Sequence, residues 1–269
     1  MAISLEGKTA IVTSAAQDVG RTIAQRFLDA GASVMLADAD ERALADTENA
    51  LDAEDERAAR FLYTAQDKLN IQNLIAATDE KFGRIDILVN SAQPICAPGA
   101  FLDLAPDEFD SHFGDNVRGV FQLSQAVAKR MVAQSRYQEE ALPAGSIVNI
   151  SSVSAQRTVP ELMTFSVSNA ALDQLTRSMA SALAPQGIRV NAVALGGVLT
   201  ERLRGFFSDD ESLRDEMVRV TPMGRVAEMD EIAEAVIFLA SNSASYVTGQ
   251  ILAVDGGRML LDPLASPIR

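Results

Sequence analysis

The stretch Ser151-Ser152-Val153 and, further along, Phe165-Ser166-Val167-Ser168-Asn169 decide how the rest of the chain is interpreted. The apolar run at residues 146–150 predicts a buried strand that delivers Ser152 to the rim of a sheet. A helix predicted to start near residue 161 carries Phe165 and Asn169, which are one turn apart and therefore share a face. We expect Asn116, from an earlier helix, to meet these residues at one spot.

Outward from this stretch, short apolar runs alternate with segments of helical periodicity. Strands are predicted at residues 8–13, 33–37, 60–64, 85–89, 146–150, 188–194 and 251–254, and helices at about 19–30, 41–51, 70–82, 106–111, 113–135, 161–183 and 230–240. Strands that are apolar on both faces are typical of a parallel sheet covered by helices on both sides. The predicted fold is therefore α/β: a single-domain, doubly wound Rossmann-type sheet of about seven strands in three layers, spanning residues 1–257, with a tail at 258–269.

Composition narrows the classes of function. The chain has 269 residues, 48% of them hydrophobic, and a formal net charge of −14, so nucleic acid and anionic membranes are not expected partners. A single cysteine, Cys96, rules out an intrachain disulfide, and Cys96 and His112 are the only soft metal ligands, so no metal site is expected. Without an apolar run of membrane-spanning length or a leader-like N-terminus, the chain is predicted to be cytoplasmic.

Several short motifs fall in the order and spacing of a known family. They are Asn116-Val117-Arg118-Gly119, Ile147 to Ser152, Ile188 to Asn191, Pro222-Met223-Gly224-Arg225 and Asp255-Gly256-Gly257. Over roughly residues 5–257 the chain thus resembles the short-chain dehydrogenase/reductases. The resemblance implies an NAD(P)-dependent oxidoreductase in which a Tyr donates a proton, a Lys lowers the pKa of that Tyr, a Ser polarises the carbonyl and an Asn holds a water of the proton relay.

At the catalytic positions the sequence departs from this family. The resemblance assigns Asn116 and Ser152 to the Asn and Ser roles, but the Tyr-x-x-x-Lys motif reads Phe165-x-x-x-Asn169. Phe165 has no exchangeable proton and Asn169 has no charge. Loss of a general acid commonly lowers the rate by about 10²–10⁴. Without its partners, Ser152 has an alternative role as a hydroxyl that caps its own loop.

The expected phosphate-binding loop is also altered. The family's Thr-Gly-x-x-x-Gly-Ile-Gly reads Thr13-Ser14-Ala15-Ala16-Gln17-Asp18-Val19-Gly20, so only Gly20 of the three glycines remains. A carboxylate about 4 Å from a phosphate costs roughly 1 kcal/mol in water and about 4 kcal/mol at an effective dielectric of 20. The favoured interpretation is that Asp18 caps the first helix, which would weaken phosphate binding as well.

Other positions keep the cofactor pattern of the family. Asp38, at the end of the second strand, would bind the adenosine ribose and favour NAD over NADP. The resemblance also places Asp67 near adenine, Asn90 and Ala92 in the loop that follows the fourth strand, and Thr200 at the nicotinamide carboxamide. The cofactor is therefore expected to be NAD, if any, with weak or absent binding.

Three hypotheses follow. In the first, the chain is a non-catalytic family member that forms a homo-oligomer, or a hetero-oligomer with an active paralogue, through its helices at about 113–135 and 161–183. In the second, it is an active NAD-dependent oxidoreductase on a carbonyl or alcohol substrate with an unusual proton donor. In the third, it is a sensor that binds a small molecule. Residues 200–219 are expected to cover the cleft, and Leu203, Phe206 and Phe207 indicate either an apolar ligand or packing of the lid.

Overall fold

The fold is a parallel sheet enclosed by helices, as seen in a computed structural model that describes residues 3–51, 56–91, 99–135 and 144–261. The strands are β1 (Thr9–Thr13), β2 (Ser33–Asp38), β3 (Ala58–Leu62), β4 (Ile87–Asn90), β5 (Gly145–Ser152), β6 (Ile188–Leu195) and β7 (Ile251–Val254). The helices are α1 (Asp18–Asp29), α2 (Glu41–Leu51), α3 (Lys68–Phe82), α4 (Pro106–Phe113), α5 (Val120–Ser135), α6 (Met163–Leu183), α7 (Glu201–Asp209), α8 (Glu211–Arg219) and α9 (Met229–Ala240).

The seven strands lie in the order β3-β2-β1-β4-β5-β6-β7, and all pairs are parallel. The order reverses between β1 and β4, where Ile11 lies between Met35 of β2 and Leu88 of β4. In such a sheet the crevice beyond the carboxyl ends of β1 and β4 is the expected ligand site. The predicted doubly wound α/β fold is confirmed.

Two apolar clusters, one on each face, hold the sheet. Ala10 and Val12 of β1 belong to the cluster formed with α1 and α9, whereas Ile11 belongs to the cluster formed with α3, α5 and α6. This alternation follows from the two-residue period of a strand. Because both faces are buried, the strands are apolar throughout, which is why they were recognisable in the sequence.

The elements depart from the predicted ones at three places. The third strand ends at Leu62 rather than Thr64. The helix predicted over residues 113–135 is interrupted by a π-helical segment, Gly114–Gly119, before α5 begins. The lid segment consists of two helices, α7 and α8. Within the described ranges, none of the helices combines the length and hydropathy needed to cross a membrane.

Candidate functional site

The ends of β1 and β4 are tied together at the reversal point of the sheet. The Thr13 hydroxyl donates to the Val89 carbonyl (3.4 Å) and accepts from the Ser91 amide (3.0 Å). Next to it, the Asn90 side-chain amide donates to Asn149 Oδ1 (2.8 Å) and to Ser124 Oγ (3.0 Å). The Asn90 side chain therefore joins β4 to β5 and α5 inside the molecule. The cofactor contact predicted for Asn90 stays a prediction, and Ala92 lies outside the described residues.

Three of the four predicted catalytic residues meet on α6. Asn116 Nδ2 donates to Ser168 Oγ (3.1 Å), and Ser168 Oγ donates in turn to the Phe165 carbonyl oxygen (3.1 Å). Asn169 Nδ2 donates to the same carbonyl (2.9 Å). The expected meeting of Asn116 with the residues at 165 and 169 is thus present, and it is made through one main-chain oxygen.

Ser152 takes the alternative role considered from the sequence. It ends β5, and its hydroxyl accepts a hydrogen bond from the Ser154 amide (3.2 Å), which caps the short 3₁₀ turn Val153–Ala155. The hydroxyl still has lone pairs and a proton to offer. The capping bond therefore fixes the position of Ser152 Oγ without excluding a ligand contact.

Two buried amide oxygens of the site lack donors. Asn116 and Asn169 are both almost completely buried, and neither Oδ1 atom has a hydrogen-bond partner within the described ranges. Buried polar atoms in folded proteins are normally satisfied by protein, water or ligand. The catalytic end of the cleft therefore presents two acceptors at a place where the resemblance implies a lysine ammonium, a donor.

Asn116 is positioned by the π-helical segment, which sequence periodicity did not reveal. Gly114 and Gly119 let this segment approach the loop after β3: a Cβ on Gly114 would lie 2.6 Å from Gln66 Nε2, and one on Gly119 would lie 3.1 Å from Ala65 Cβ. Gln66 also donates to Asp115 Oδ1 (2.9 Å). Short π-helical segments are frequent at functional sites. The flanking glycines were the signal that could have revealed it.

Asp173 is a buried acid that sequence reasoning missed. It lies one turn beyond Asn169 on α6, and Ser151 Oγ donates to its Oδ1 (2.6 Å). Burial raises the pKa of the Asp173 carboxyl, and the Ser151 hydrogen bond and the charge of Arg177 only partly oppose this effect. An acid on an otherwise buried helical face was the available signal.

The loop between β1 and α1 stays tight despite its lost glycines. A Cβ on Gly20 would lie 2.1 Å from the Ser14 carbonyl oxygen, so only glycine fits at position 20. Ser14 itself has φ +50°, in the left-handed region that favours glycine. The loop thus keeps a glycine-like conformation at position 14 without a glycine.

The prediction that Asp18 caps α1 is wrong. Gln17 occupies the cap position and makes no side-chain hydrogen bond there, and Asp18 is the first residue of the helix. Asp18 Oδ1 instead accepts a hydrogen bond from the Glu201 amide (3.3 Å), at the start of α7. The carboxylate therefore connects the expected phosphate site to the lid, because the chain brings a distant helix to it.

The remaining predicted cofactor residues are anchored locally. Asp38 is buried and accepts from the Ala16 amide through Oδ2 (3.0 Å) and from the Asp40 amide through Oδ1 (3.1 Å). It borders a cavity of about 770 Å³ lined by Gln17, Asp38, Ala39, Asp40, Glu41, Arg42, Ala45 and Arg60. Asp67 caps α3, and Thr200 caps α7 by accepting from the Leu203 amide (3.2 Å).

The end of the described chain lies against the catalytic loop. Arg157, which follows the 3₁₀ turn after Ser152, donates through Nη2 to the carbonyls of Met259 and Leu261. Asp255 accepts from the Gly257 and Met259 amides (both 2.8 Å) and shapes the turn before it. Arg157 was not assigned to this contact from sequence, because its partners are main-chain atoms about a hundred residues away.

Comparisons with known proteins agree with this geometry. A family model described as enoyl-(acyl carrier protein) reductase matches residues 14–258. Oxidoreductase UcpA of Escherichia coli (strain K12) is 36% identical over 264 residues, which are 95% of this chain and 96% of that protein. Gluconate 5-dehydrogenase of Gluconobacter oxydans (strain 621H) is 32% identical over 254 residues, 94% of this chain and 95% of that protein. The crystal structure of 3-ketoacyl-(acyl-carrier-protein) reductase from Brucella melitensis complexed with NADH superposes with a TM-score of 0.84 at 31% identity, covering 95% of this chain and 99% of that one.

The chain belongs to the short-chain dehydrogenase/reductase family. Membership of this family, whose relatives here are oxidoreductases, explains why Asn116, Ser152, Phe165 and Asn169 occupy neighbouring elements around one cleft. In the short-chain dehydrogenase/reductase frame, Phe165 and Asn169 are the departures at the catalytic helix, and Ser14 and Asp18 are the departures at the phosphate loop.

Proposed function

We propose that this chain is a short-chain dehydrogenase/reductase homologue that has lost the proton-transfer step of the family and serves as a non-catalytic subunit. The observation that carries the proposal is the hydrogen bond from Asn169 Nδ2 to the Phe165 carbonyl. Carbonyl reduction needs a proton donor beside the hydride donor. At position 165 the helix presents a hydrocarbon ring, and at position 169 it presents a neutral amide that is bonded to its own helix.

The other titratable groups near the cleft are poor replacements among the described residues. Burial, together with the nearby Asp115 charge, raises the pKa of Tyr63, so its phenol is a weak acid at neutral pH. Tyr246 is fully exposed on the surface. Arg157 donates to the C-terminal segment, and a guanidinium does not release its proton at physiological pH.

The residues around the cofactor cleft fit only half of a dinucleotide. The Asp38 carboxylate beside its cavity suits an adenosine ribose and disfavours a 2′-phosphate, so we propose NAD rather than NADP. Bound nicotinamide would supply the hydride. The phosphate end does not fit, because Asp18 places a carboxylate at the start of α1. We therefore propose that binding is weak.

A groove between α5 and α6 supports the proposal that the chain forms an oligomer. It has a volume of about 490 Å³ and is lined by Phe121, Ser124, Gln125, Ala128, Lys129, Val132, Ala133, Met179, Ala182, Leu183 and Gln186. Phe121 is 44% exposed on its wall. An apolar groove flanked by small side chains lets two copies, or this chain and an active paralogue, pack their helices closely.

The test is a double reversion, Phe165→Tyr with Asn169→Lys, assayed for NADH oxidation on a panel of ketones at millimolar NADH. We expect no turnover above background by the natural chain, and a gain of about 10²–10⁴ over that background in the double variant. The matched controls are the two single variants. Each should stay inactive, because a phenol without a cation and a cation without a phenol both lack half of the pair.

An active NAD-dependent oxidoreductase is the second candidate. It is favoured by the presence of Ser152 and Asn116 and by the oxidoreductase relatives, which match the chain along nearly its whole length. Turnover of a ketone by the natural chain that is lost in Ser152→Ala would establish this candidate and refute the non-catalytic proposal. A double variant that binds NADH and still fails to turn over would also contradict the idea that only the Tyr and Lys are missing.

A further inference from the structure

Two helices begin at the same carboxylate. Asp18 is the first residue of α1, and its Oδ1 accepts from the amide of Glu201, the first residue of α7 (3.3 Å). At α7, Thr200 satisfies only the Leu203 amide. At α1, the cap residue Gln17 contributes no side-chain hydrogen bond. The carboxylate thus sits where the first-turn amides of two helices need an acceptor.

Electrostatics favour an anion at this place. The start of a helix carries a positive partial charge of about half an elementary charge, and a negative group within the first turn is stabilised. In Rossmann-type domains the anion at the first helix is the pyrophosphate of a dinucleotide. Here the chain supplies the anion itself, from a residue that is part of the helix.

We propose that Asp18 is a built-in substitute for a cofactor phosphate. It holds the start of the lid helix α7 against the start of α1, and it selects against ligands that carry a pyrophosphate. The ligand class that the cleft admits is then a nucleoside or another uncharged small molecule, rather than a dinucleotide. This proposal goes beyond the loss of proton transfer and stands whether or not the chain reduces a substrate.

The loop geometry supports a built contact over an incidental one. Gly20 packs against the Ser14 carbonyl so closely that no side chain fits, and Ser14 accepts a positive φ. The loop therefore keeps the tight turn that directs the start of α1 into the crevice, although the glycine at position 18 is replaced. Asp18 is partly buried there, which strengthens its interactions relative to those of a solvated carboxylate.

The lid has another tie to the body of the protein, and it is weak. Arg204 Nη2 lies 3.1 Å from Glu228 Oε2, and both side chains are more than half exposed. Exposed ion pairs contribute little to stability. The Asp18 contact is more sheltered, so its removal should loosen α7 measurably.

The experiment measures binding of ADP and of adenosine by calorimetry. The variants are Asp18→Gly, which removes the acceptor and the charge, and Asp18→Asn, which keeps an acceptor oxygen and removes the charge. Asp29→Asn is the matched control, since it makes the same change of charge at the opposite end of α1. We expect both Asp18 variants to bind ADP about tenfold or more tightly than the natural chain, with a smaller ratio at high salt. Adenosine affinity should not change in any variant.

Hydrogen exchange at the Glu201 amide separates the two parts of the proposal. The amide should exchange faster in Asp18→Gly and near the natural rate in Asp18→Asn, because the asparagine oxygen can still accept its hydrogen bond. Equal ADP affinity of the natural chain and Asp18→Gly, or no detectable binding by either, overturns the phosphate-substitute proposal. So does an equal gain in Asp29→Asn. None of these outcomes depends on Phe165 or Asn169, so they are distinct from failure of the proposed function.

Discussion

Asn169 donates its side-chain amide to the main-chain carbonyl of Phe165, four residues earlier on the same helix. This bond directs the amide back along α6 and leaves Asn169 Oδ1 buried without a donor. Asn149, in contrast, is satisfied on both sides: its Oδ1 accepts from Asn90, and its Nδ2 donates to Thr176 Oγ1 (2.8 Å). Two fully buried asparagines thus differ in what they contribute to the fold.

We predict unequal costs when either asparagine is truncated. Asn149→Ala should lower the free energy of unfolding by about 2–3 kcal/mol, because it breaks two buried hydrogen bonds and leaves Asn90 and Thr176 with lost partners. Asn169→Ala should cost about 1 kcal/mol or less, because it removes one bond and also one unsatisfied acceptor. Urea denaturation of both variants measures the difference. Equal costs would show that Asn169 Oδ1 is satisfied by a bound water or ligand.

Asp173 predicts a specific dependence of stability on pH. Burial raises its pKa in the folded protein above that of the unfolded chain, so the folded state binds the proton more tightly. This stability is present at low pH and is lost as the pH rises through the folded pKa. Asp173→Asn should therefore be more stable than the natural chain at pH 7, and the gain should shrink as the pH falls toward 4. Asn can still accept from Ser151.

Denaturation curves at several pH values between 4.5 and 8 test the Asp173 prediction. Asp210→Asn is the comparison, since the carboxyl of Asp210 has its pKa lowered by hydrogen bonds from Ser212. Its variant should lose stability at neutral pH, the opposite direction. A pH-independent effect of Asp173→Asn would contradict the assignment.

Gly20 should be intolerant of any side chain. A Cβ there would lie 2.1 Å from the Ser14 carbonyl oxygen, and the main chain on both sides would have to move. Gly20→Ala is expected to lower the free energy of unfolding by about 2–4 kcal/mol. Gly205, in the middle of α7, has open space around it, and Gly205→Ala should instead stabilise the helix by about 0.5–1 kcal/mol. Thermal unfolding of the pair gives both signs in one experiment.

The groove between α5 and α6 predicts a change in mass when its wall is charged. Phe121→Glu should convert an oligomer into a smaller species, because a carboxylate at that wall would be buried without a partner. Leu102→Glu adds the same charge at a residue that is 91% exposed and outside the groove, and it should leave the mass unchanged. Sedimentation equilibrium decides between them. A natural chain that sediments as a monomer would contradict the oligomer proposal at the outset.

The fold was predictable because the parallel strands are buried on both faces. β1, with all five residues buried, reads as an unbroken apolar run, and its neighbours β2 and β4 read the same way. The approach of Asn116 to α6 was also predictable, since the motif spacing fixes which strand and helix ends meet. Even the capping role of Ser152 could be stated as an alternative from its place at the end of β5.

The features that could not be predicted depend on distant partners. Asp18 was interpreted as a local cap because the sequence shows only its own helix, and its actual partner, the amide of Glu201, comes from the other end of the domain. The bond between Ser151 and Asp173 is of the same kind. The π-helical segment at Gly114–Gly119 depends on how closely a separate loop approaches. In each case three-dimensional packing selects among several roles that the local sequence permits equally.

Arg157 has a practical consequence for how this protein is handled. Its guanidinium grips two main-chain carbonyls near residue 260, so the chain leaves the body of the molecule from a fixed point next to the loop that carries Ser152. A fluorophore attached just after residue 261 would report on the cleft rather than tumble freely. A bulky affinity tag at the same place would press on that loop, and assays of the cleft are better performed with such a tag at the other terminus.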